Sequence, residues 1–205
     1  MLKIDYNPLR KRWNERMENL PDDVREAVQA FCDRGLAKGE NFKVIKRTRR
    51  QPNDGDIFVC TINGTVYYYG KILKACIVNP SDEWINGCIL ACLFRDKTTV
   101  KNLDNYKGSY DNLLLTPFIV TKQYWTGGWF ETIGNVPLDE RDFSLDYGFY
   151  DEDLFGRMGG FYKETGEGMD HIPKYISFFG IKTLIGVYRG VKEEVIIDPS
   201  LLTMD

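Results

Sequence analysis

The sequence is poor in the residues from which most active sites are assembled. It has a single histidine, His171, and five cysteines, Cys32, Cys60, Cys76, Cys88 and Cys92, with no Cys-x-x-Cys pair among them. Structural zinc sites draw on closely spaced Cys and His pairs, so this pattern argues against one and predicts no metal. No apolar run approaches the roughly 18 residues of a membrane helix, which excludes a transmembrane segment. Met1-Leu2-Lys3-Ile4-Asp5-Tyr6 leads directly into charged sequence, so no secretory leader is expected. A cytoplasmic location and free thiols follow from that expectation. A large charge imbalance is missing too. The 27 Lys and Arg against 30 Asp and Glu leave a net −3, too little positive charge for a chain built as a whole to hold nucleic acid.

What is abundant is aromatic side chains, 14% of the 205 residues. Aromatics favour strands and supply contact area, which predicts a β-rich protein with something to bind. The first 35 residues differ. Asn7-Pro8 reads as a helix cap and first position, and Leu9, Trp13, Met17 and Leu20 then form one face. Pro21 breaks that helix, Asp22 and Asp23 open a second, and Gly35 closes it. After Gly39 the period becomes strand-like. Strands are predicted over residues 43–48, 56–62, 65–73, 88–94, 98–103, 113–120 and 129–133, bounded by glycine and proline. Asn63-Gly64 marks a hairpin with positive φ at both turn positions. Residues 175–194 suit a helix, against the resistance of Gly180, Gly186 and Gly190. The fold class is thus α+β: a small, strongly bent antiparallel sheet or SH3-like barrel, with an N-terminal helical hairpin and a C-terminal helix. Residues 1–40 are expected to pack as a helical element on the β-rich remainder, 41–205.

No catalytic set stands out. His171 lies in a loop-like stretch beside Asp170, and adjacency in sequence does not make Asp170 its orienting partner. Cys88 and Cys92 are four apart among apolar neighbours and read as small core residues pointing to one strand face. Asp151-Glu152-Asp153 lacks the spacing of a calcium loop. Gly159-Gly160 lacks the Lys-Ser/Thr of a phosphate loop. No cofactor is implied. The charge is segregated, however. Residues 1–50 carry 13 basic and 8 acidic residues, peaking at Lys43, Lys46, Arg47, Arg49 and Arg50. That stretch reads as a solvated edge, a partner for the acidic segment, or a site for RNA. Residues 139–170 carry ten acidic residues against three basic, with seven aromatics between them. Acid steers a basic partner and aromatics anchor it, whereas the plainer reading places those aromatics in the core. Of the tryptophans, Trp125 follows Tyr124 in a polar context and reads as the surface aromatic, and Trp129 as a stacked or open one.

Two blocks carry a resemblance. Asp54-Gly55-Asp56-Ile57-Phe58-Val59, Asn63-Gly64 and Tyr68-Tyr69-Gly70-Lys71-Ile72-Leu73 resemble the opening hairpin of the immunity protein 26 family of bacterial polymorphic-toxin systems. Trp125-Thr126-Gly127-Gly128-Trp129-Phe130, followed by Ile133-Gly134-Asn135 and Pro137-Leu138, is similar to its second block. Phe161-Tyr162 with Glu164 and Gly166 is a looser third, and the likeness runs over residues 44–195. Residues 1–40 and a long loop over 79–86 depart from the pattern. The resemblance implies a non-catalytic cytoplasmic protein that binds and neutralises a cognate protein toxin, possibly a nuclease, with no membrane or direct nucleic-acid contact. The expected toxin-binding residues are Asp146, Tyr147, Tyr150, Asp151, Glu152 and Asp153, with Trp125 or Trp129 as an added anchor. The competing reading is a small barrel that binds or cleaves RNA through the basic segment.

Overall fold

Asn7 caps the first helix, α1 (Pro8–Glu18), its Oδ1 accepting from the Arg10 amide at 2.9 Å. Pro21 separates it from α2 (Asp22–Arg34), whose first turn holds Asp22 and Asp23. Both helices lie where the caps predict them. The computed structural model describes residues 2, 4, 6–151, 159–178 and 183–204.

Five strands follow: β1 (Asp56–Cys60), β2 (Tyr67–Lys74), β3 (Ile89–Thr98), β4 (Leu113–Val120) and β5 (Glu131–Asn135). They form one antiparallel sheet in the order β4-β3-β2-β1-β5. Among the described residues no strand pairing closes this sheet, so the barrel alternative gives way to an open sheet with β4 and β5 at its edges. β1 is buried on both faces, which is why Asp56-Ile57-Phe58-Val59-Cys60 reads as an unbroken run. Phe58 and Cys60 face the main cluster with Trp125, Phe130, Val187 and Val191. Ile57 and Val59 face a second one with Tyr69, Cys92 and Phe94. Gly70 of β2 sits opposite Phe58. A β-carbon there would come within 2.6 Å of Phe58 Cε1, so the ring requires glycine beneath it.

The Asn63-Gly64 hairpin joins neighbouring antiparallel strands as predicted, but its turn differs. Among the described residues only glycines have positive φ, and Gly64 alone does in this turn, at 87°. The last pair across the strands is Cys60 with Tyr68, and Asn63 Oδ1 accepts from the amides of Thr65 and Val66, each at 3.0 Å. Asparagine therefore acts through its side chain, as in an Asx turn.

Other expectations are corrected. Residues 43–48 are extended but not a strand. Their amides reach loop and turn carbonyls, Lys43 to Thr61 at 2.9 Å, Ile45 to Gly128 at 2.7 Å and Thr48 to Trp125 at 3.1 Å. Residues 99–105 turn, because β3 itself runs on to Thr98. Cys88 and Cys92 pack in separate clusters, since Cys88 precedes β3. All five cysteines are free thiols, and burial pushes Cys92 up to about 12.

A second sheet contains β6 (Tyr147–Asp151), β7 (Gly160–Tyr162) and β8 (Tyr175–Phe178), in the order β7-β6-β8 with β6 and β8 parallel. The predicted tail helix thus divides into β8 and α5 (Thr183–Ile197). α5 lies on β4 and receives α2. Leu9 of α1 packs on the Tyr150, Phe161, Met169 and Ile176 cluster of the small sheet. Arg16 reaches across to Glu194 of α5 at 2.9 Å.

Candidate functional site

The acidic segment begins with a short helix, α4 (Glu140–Phe143), capped reciprocally by Asp139 and Asp142. Asp142 faces inward. It accepts from Lys71 Nζ of β2 at 2.7 and 2.9 Å, from the Asp139 amide at 2.7 Å and from the Tyr110 hydroxyl. Both ionic side chains are only 4% exposed. The pair pins α4 to the sheet and leaves the next residue, Phe143, 76% exposed.

Beside α4 lies an open pocket of about 380 Å³. Leu73, Leu90 and Tyr147 contribute to its lining, with Phe143, Glu164 and Glu167. Glu164 accepts from the Tyr147 hydroxyl at 2.6 Å and from Lys74 at 3.0 Å. Burial acts to raise the Glu164 carboxyl, but those two hydrogen bonds outweigh it and hold it low. Lys163 donates to the Tyr147 carbonyl at 2.7 Å and stands 4.1 Å over its ring. Glu164 and Lys74 are thus mutually engaged, and among the described residues no group of three or more His, Cys, Asp or Glu could hold a metal ion.

The structure divides the expected toxin-binding residues. Trp125 is a correction: it is fully buried against Phe58 and Phe130, with Nε1 donating to Thr132 at 3.0 Å. The turn of α3 (Gln123–Thr126) folds it inward despite its polar neighbours. Tyr150 is also buried, in the small-sheet cluster, and cannot reach a partner as placed. Trp129 is half-buried on the main cluster, and Tyr147 is half-buried with its hydroxyl on Glu164. Asp146 is partly exposed and Asp151 exposed. Glu152 and Asp153 lie outside the described residues. Of the other aromatics in the segment, Phe149 and Phe161 are core residues, and Phe155 falls outside the described residues. The plainer reading therefore holds for most of the ring carbons. Among the described residues the most exposed aromatics are Trp84 and Phe143, at 79% and 76%, with Tyr6 at 41%. Trp84 had a signal in the sequence, the acidic Pro80-Ser81-Asp82-Glu83 turn preceding it in the long loop.

Asp146 is tied down. It accepts from the Lys174 amide at 2.8 Å and contacts His171 Nε2 at 2.9 Å, while His171 Nδ1 meets Asp170 at 3.0 Å. These carboxylates raise the histidine above its ordinary 6.5. Burial works to raise Asp146, and its bonds to His171 and Lys174 overcome this and lower it below 3.8. The histidine contribution is complete below the unfolded value of about 6.5 and fades as pH rises through the higher folded value. The carboxylate contribution is complete above about 3.8 and fades as pH falls through the lower folded value. His171→Ala is therefore expected to lower the urea midpoint most between about pH 4.5 and 6.5, and hardly at all near pH 8.5. A deficit independent of pH, measured over that range, would assign His171 a packing role instead.

The basic segment is exposed at Lys43, Lys46, Arg47, Arg49 and Arg50. Only Lys46 among them has a carboxylate partner, Glu131 at 3.7 Å. Among the described residues no ion pair joins the basic segment to the acidic one.

No curated protein and no solved structure compared with the chain matches it. A family model described as immunity protein 26 matches residues 53–157, about half of the chain. The matched stretch contains the whole five-stranded sheet, α4 with its buried Lys71–Asp142 pair, and β6. The looser third block, at Phe161, lies beyond it. With the Gly70 that seats Phe58 and the Trp125 that closes the core both inside the match, the chain belongs to the immunity protein 26 family.

Proposed function

We propose that this protein binds a cognate bacterial toxin in the cytoplasm and neutralises it by occlusion, without chemistry of its own. The family match across the central sheet carries this reading. The family's setting also agrees with a chain in which no described helix is long and apolar enough to cross a membrane. Co-expression with the toxin domain encoded beside its gene tests the proposal. Cells carrying both are expected to survive, and the two proteins to co-elute on gel filtration. Survival without a complex would point to another mode of protection.

The acidic surface steers the encounter in this reading. Asp146 and Asp151, both at least partly exposed, add with their sequence neighbours Glu152 and Asp153 to the negative charge that attracts a basic partner, and nucleases are basic where they hold anionic substrates. Asp151→Lys combined with Asp153→Lys is expected to slow association about tenfold at low salt while leaving the thermal midpoint unchanged. Equal association rates for parent and variant in stopped-flow mixing would remove these residues from the contact. The alternative, RNA binding or cleavage through the exposed cations of residues 43–50, expects firm retention on heparin. The toxin-binding reading expects early elution.

A further inference from the structure

Trp84 and Phe143 are the two most exposed aromatic side chains among the described residues. Trp84 and Phe143 stand on elements held rigidly to the core, so each offers a ring to a partner without having to be ordered first. Neither element is loose. In the loop of Trp84, Asn79 is buried and its Oδ1 accepts from the amides of Ser81 and Asp82, at 2.8 and 3.0 Å. Asp82 caps the next turn through the Trp84 amide at 2.9 Å, and Ile85 inserts into the core. Every anchor of the loop points inward except the indole. Phe143 projects from α4, which the buried Lys71–Asp142 pair holds to β2.

One element lines the pocket and the other is bonded to its lining. Phe143 lines the pocket directly. The loop of Trp84 is fastened to another residue of the lining, Glu164, whose carbonyl accepts from Asn79 Nδ2 at 3.1 Å. Ile85 shares a cluster with Leu90, against which Leu73 and Tyr147 pack, and those three residues also line the pocket. Carboxylates surround the rings: Asp82 and Glu83 next to Trp84, Asp139 and Glu140 next to Phe143, and Glu167 within the pocket lining. The nearby cations are already engaged, Lys74 by Glu164, Lys163 by the Tyr147 carbonyl and ring, and Arg141 by Asp139.

We propose that Trp84 and Phe143 are the aromatic anchors of the toxin contact, seating a basic face of the toxin over the pocket that Phe143 lines. This rests on the neutralisation reading above and names its surface. Rigid aromatic anchors lose little entropy on binding, and both rings offer faces to a lysine or arginine of the partner. A second copy of this chain is the poorer occupant, because it would set one carboxylate-rimmed surface against another.

The test titrates the purified, catalytically inactivated toxin domain from the adjoining reading frame with the full chain. Trp84→Ala and Phe143→Ala are each expected to weaken binding about tenfold to a hundredfold, and the double variant further, with thermal midpoints unchanged because both side chains stand in water. Val100→Ala, exposed on the 99–105 turn, serves as the control and is expected to bind like the parent. Glu83→Lys with Glu140→Lys provides a second route that leaves the rings intact: the association rate falls at low salt and recovers toward the parent's slope at high salt. If the parent binds while the aromatic double variant and the charge variant bind within about threefold of it, this surface is wrong and neutralisation stands. If the parent neither binds nor protects, both fall together. If the parent dimerises, Trp84→Ala abolishes the dimer and toxin binding is unaffected, the surface belongs to a second copy.

Discussion

Asp142→Asn is expected to destabilise the protein by about 3–5 kcal/mol, and adding Lys71→Met is expected to restore much of that loss. The two ionic groups are nearly inaccessible to water and meet at 2.7 and 2.9 Å. Taking an ammonium and a carboxylate out of water costs several kcal/mol each, and only their mutual attraction offsets it. Asparagine keeps the shape of the carboxylate but has one acceptor oxygen, so it retains either the Tyr110 hydroxyl, which bonds Oδ1, or the Asp139 amide, which bonds Oδ2, and turns an N–H toward the other. What it removes is the counter-charge, and Lys71 then stands buried and unpaired. Methionine at position 71 replaces the ammonium with an apolar chain of similar length and removes the stranded charge. Lys71→Met alone is expected to cost less than Asp142→Asn, because Asp142 retains its two other donors. Urea denaturation of the four proteins checks this. If the two losses simply add, the pair is not coupled and the account of how α4 is held is wrong.

Trp125→Ala is expected to cost about 3–5 kcal/mol of stability, a loss comparable to the whole margin of many domains. The indole is fully buried, edge-on to Phe58 and Phe130 with ring centroids 5.4 and 5.3 Å away, and its nitrogen is satisfied by Thr132 at 3.0 Å. Alanine would leave a cavity beneath β1 at the centre of the main cluster, bounded by strands that cannot collapse into it. Had Trp125 been a surface anchor, the same change would have spared stability and weakened toxin binding. The measurements are a urea midpoint and the affinity of the fraction that remains folded. A loss below about 1 kcal/mol would contradict the burial.

Local chemistry made the helices and the first sheet legible. Asn7-Pro8, Pro21 and Gly35 bracket α1 and α2 because capping acts within a few residues. The run at residues 113–120 coincides with β4, and the Gly-Asp-Ile-Phe block with the turn and start of β1. The small sheet was illegible because its pairing is remote: Tyr147 meets Tyr175 across a parallel ladder, and neither stretch alternates cleanly. Trp125 misled for a related reason. Its immediate neighbours are polar, and the burial comes from α3 turning it beneath strands that lie far back in the chain. For the candidate site, the acid was readable and the anchors were not. Composition located the carboxylates of residues 139–170, but only packing separates Phe143, left outside, from Phe149 and Phe161, drawn in. Trp84 stayed hidden because a tryptophan in any sequence reads first as core.

The parallel ladder between β6 and β8 has a consequence for modularity. β6 lies inside the stretch that defines the family, and β8 lies beyond its end. The same holds for the cover of β4, which comes from α5, and α5 in turn carries α2 from the far N-terminal side. The shared stretch is therefore not an excisable module. Cut at its own limits, it would present an unpaired β6 edge and an unroofed apolar β4 face, both invitations to misassembly. Any graft of this core between relatives has to carry its flanking segments as a matched set, because the joint between shared and unshared sequence runs through the middle of a sheet.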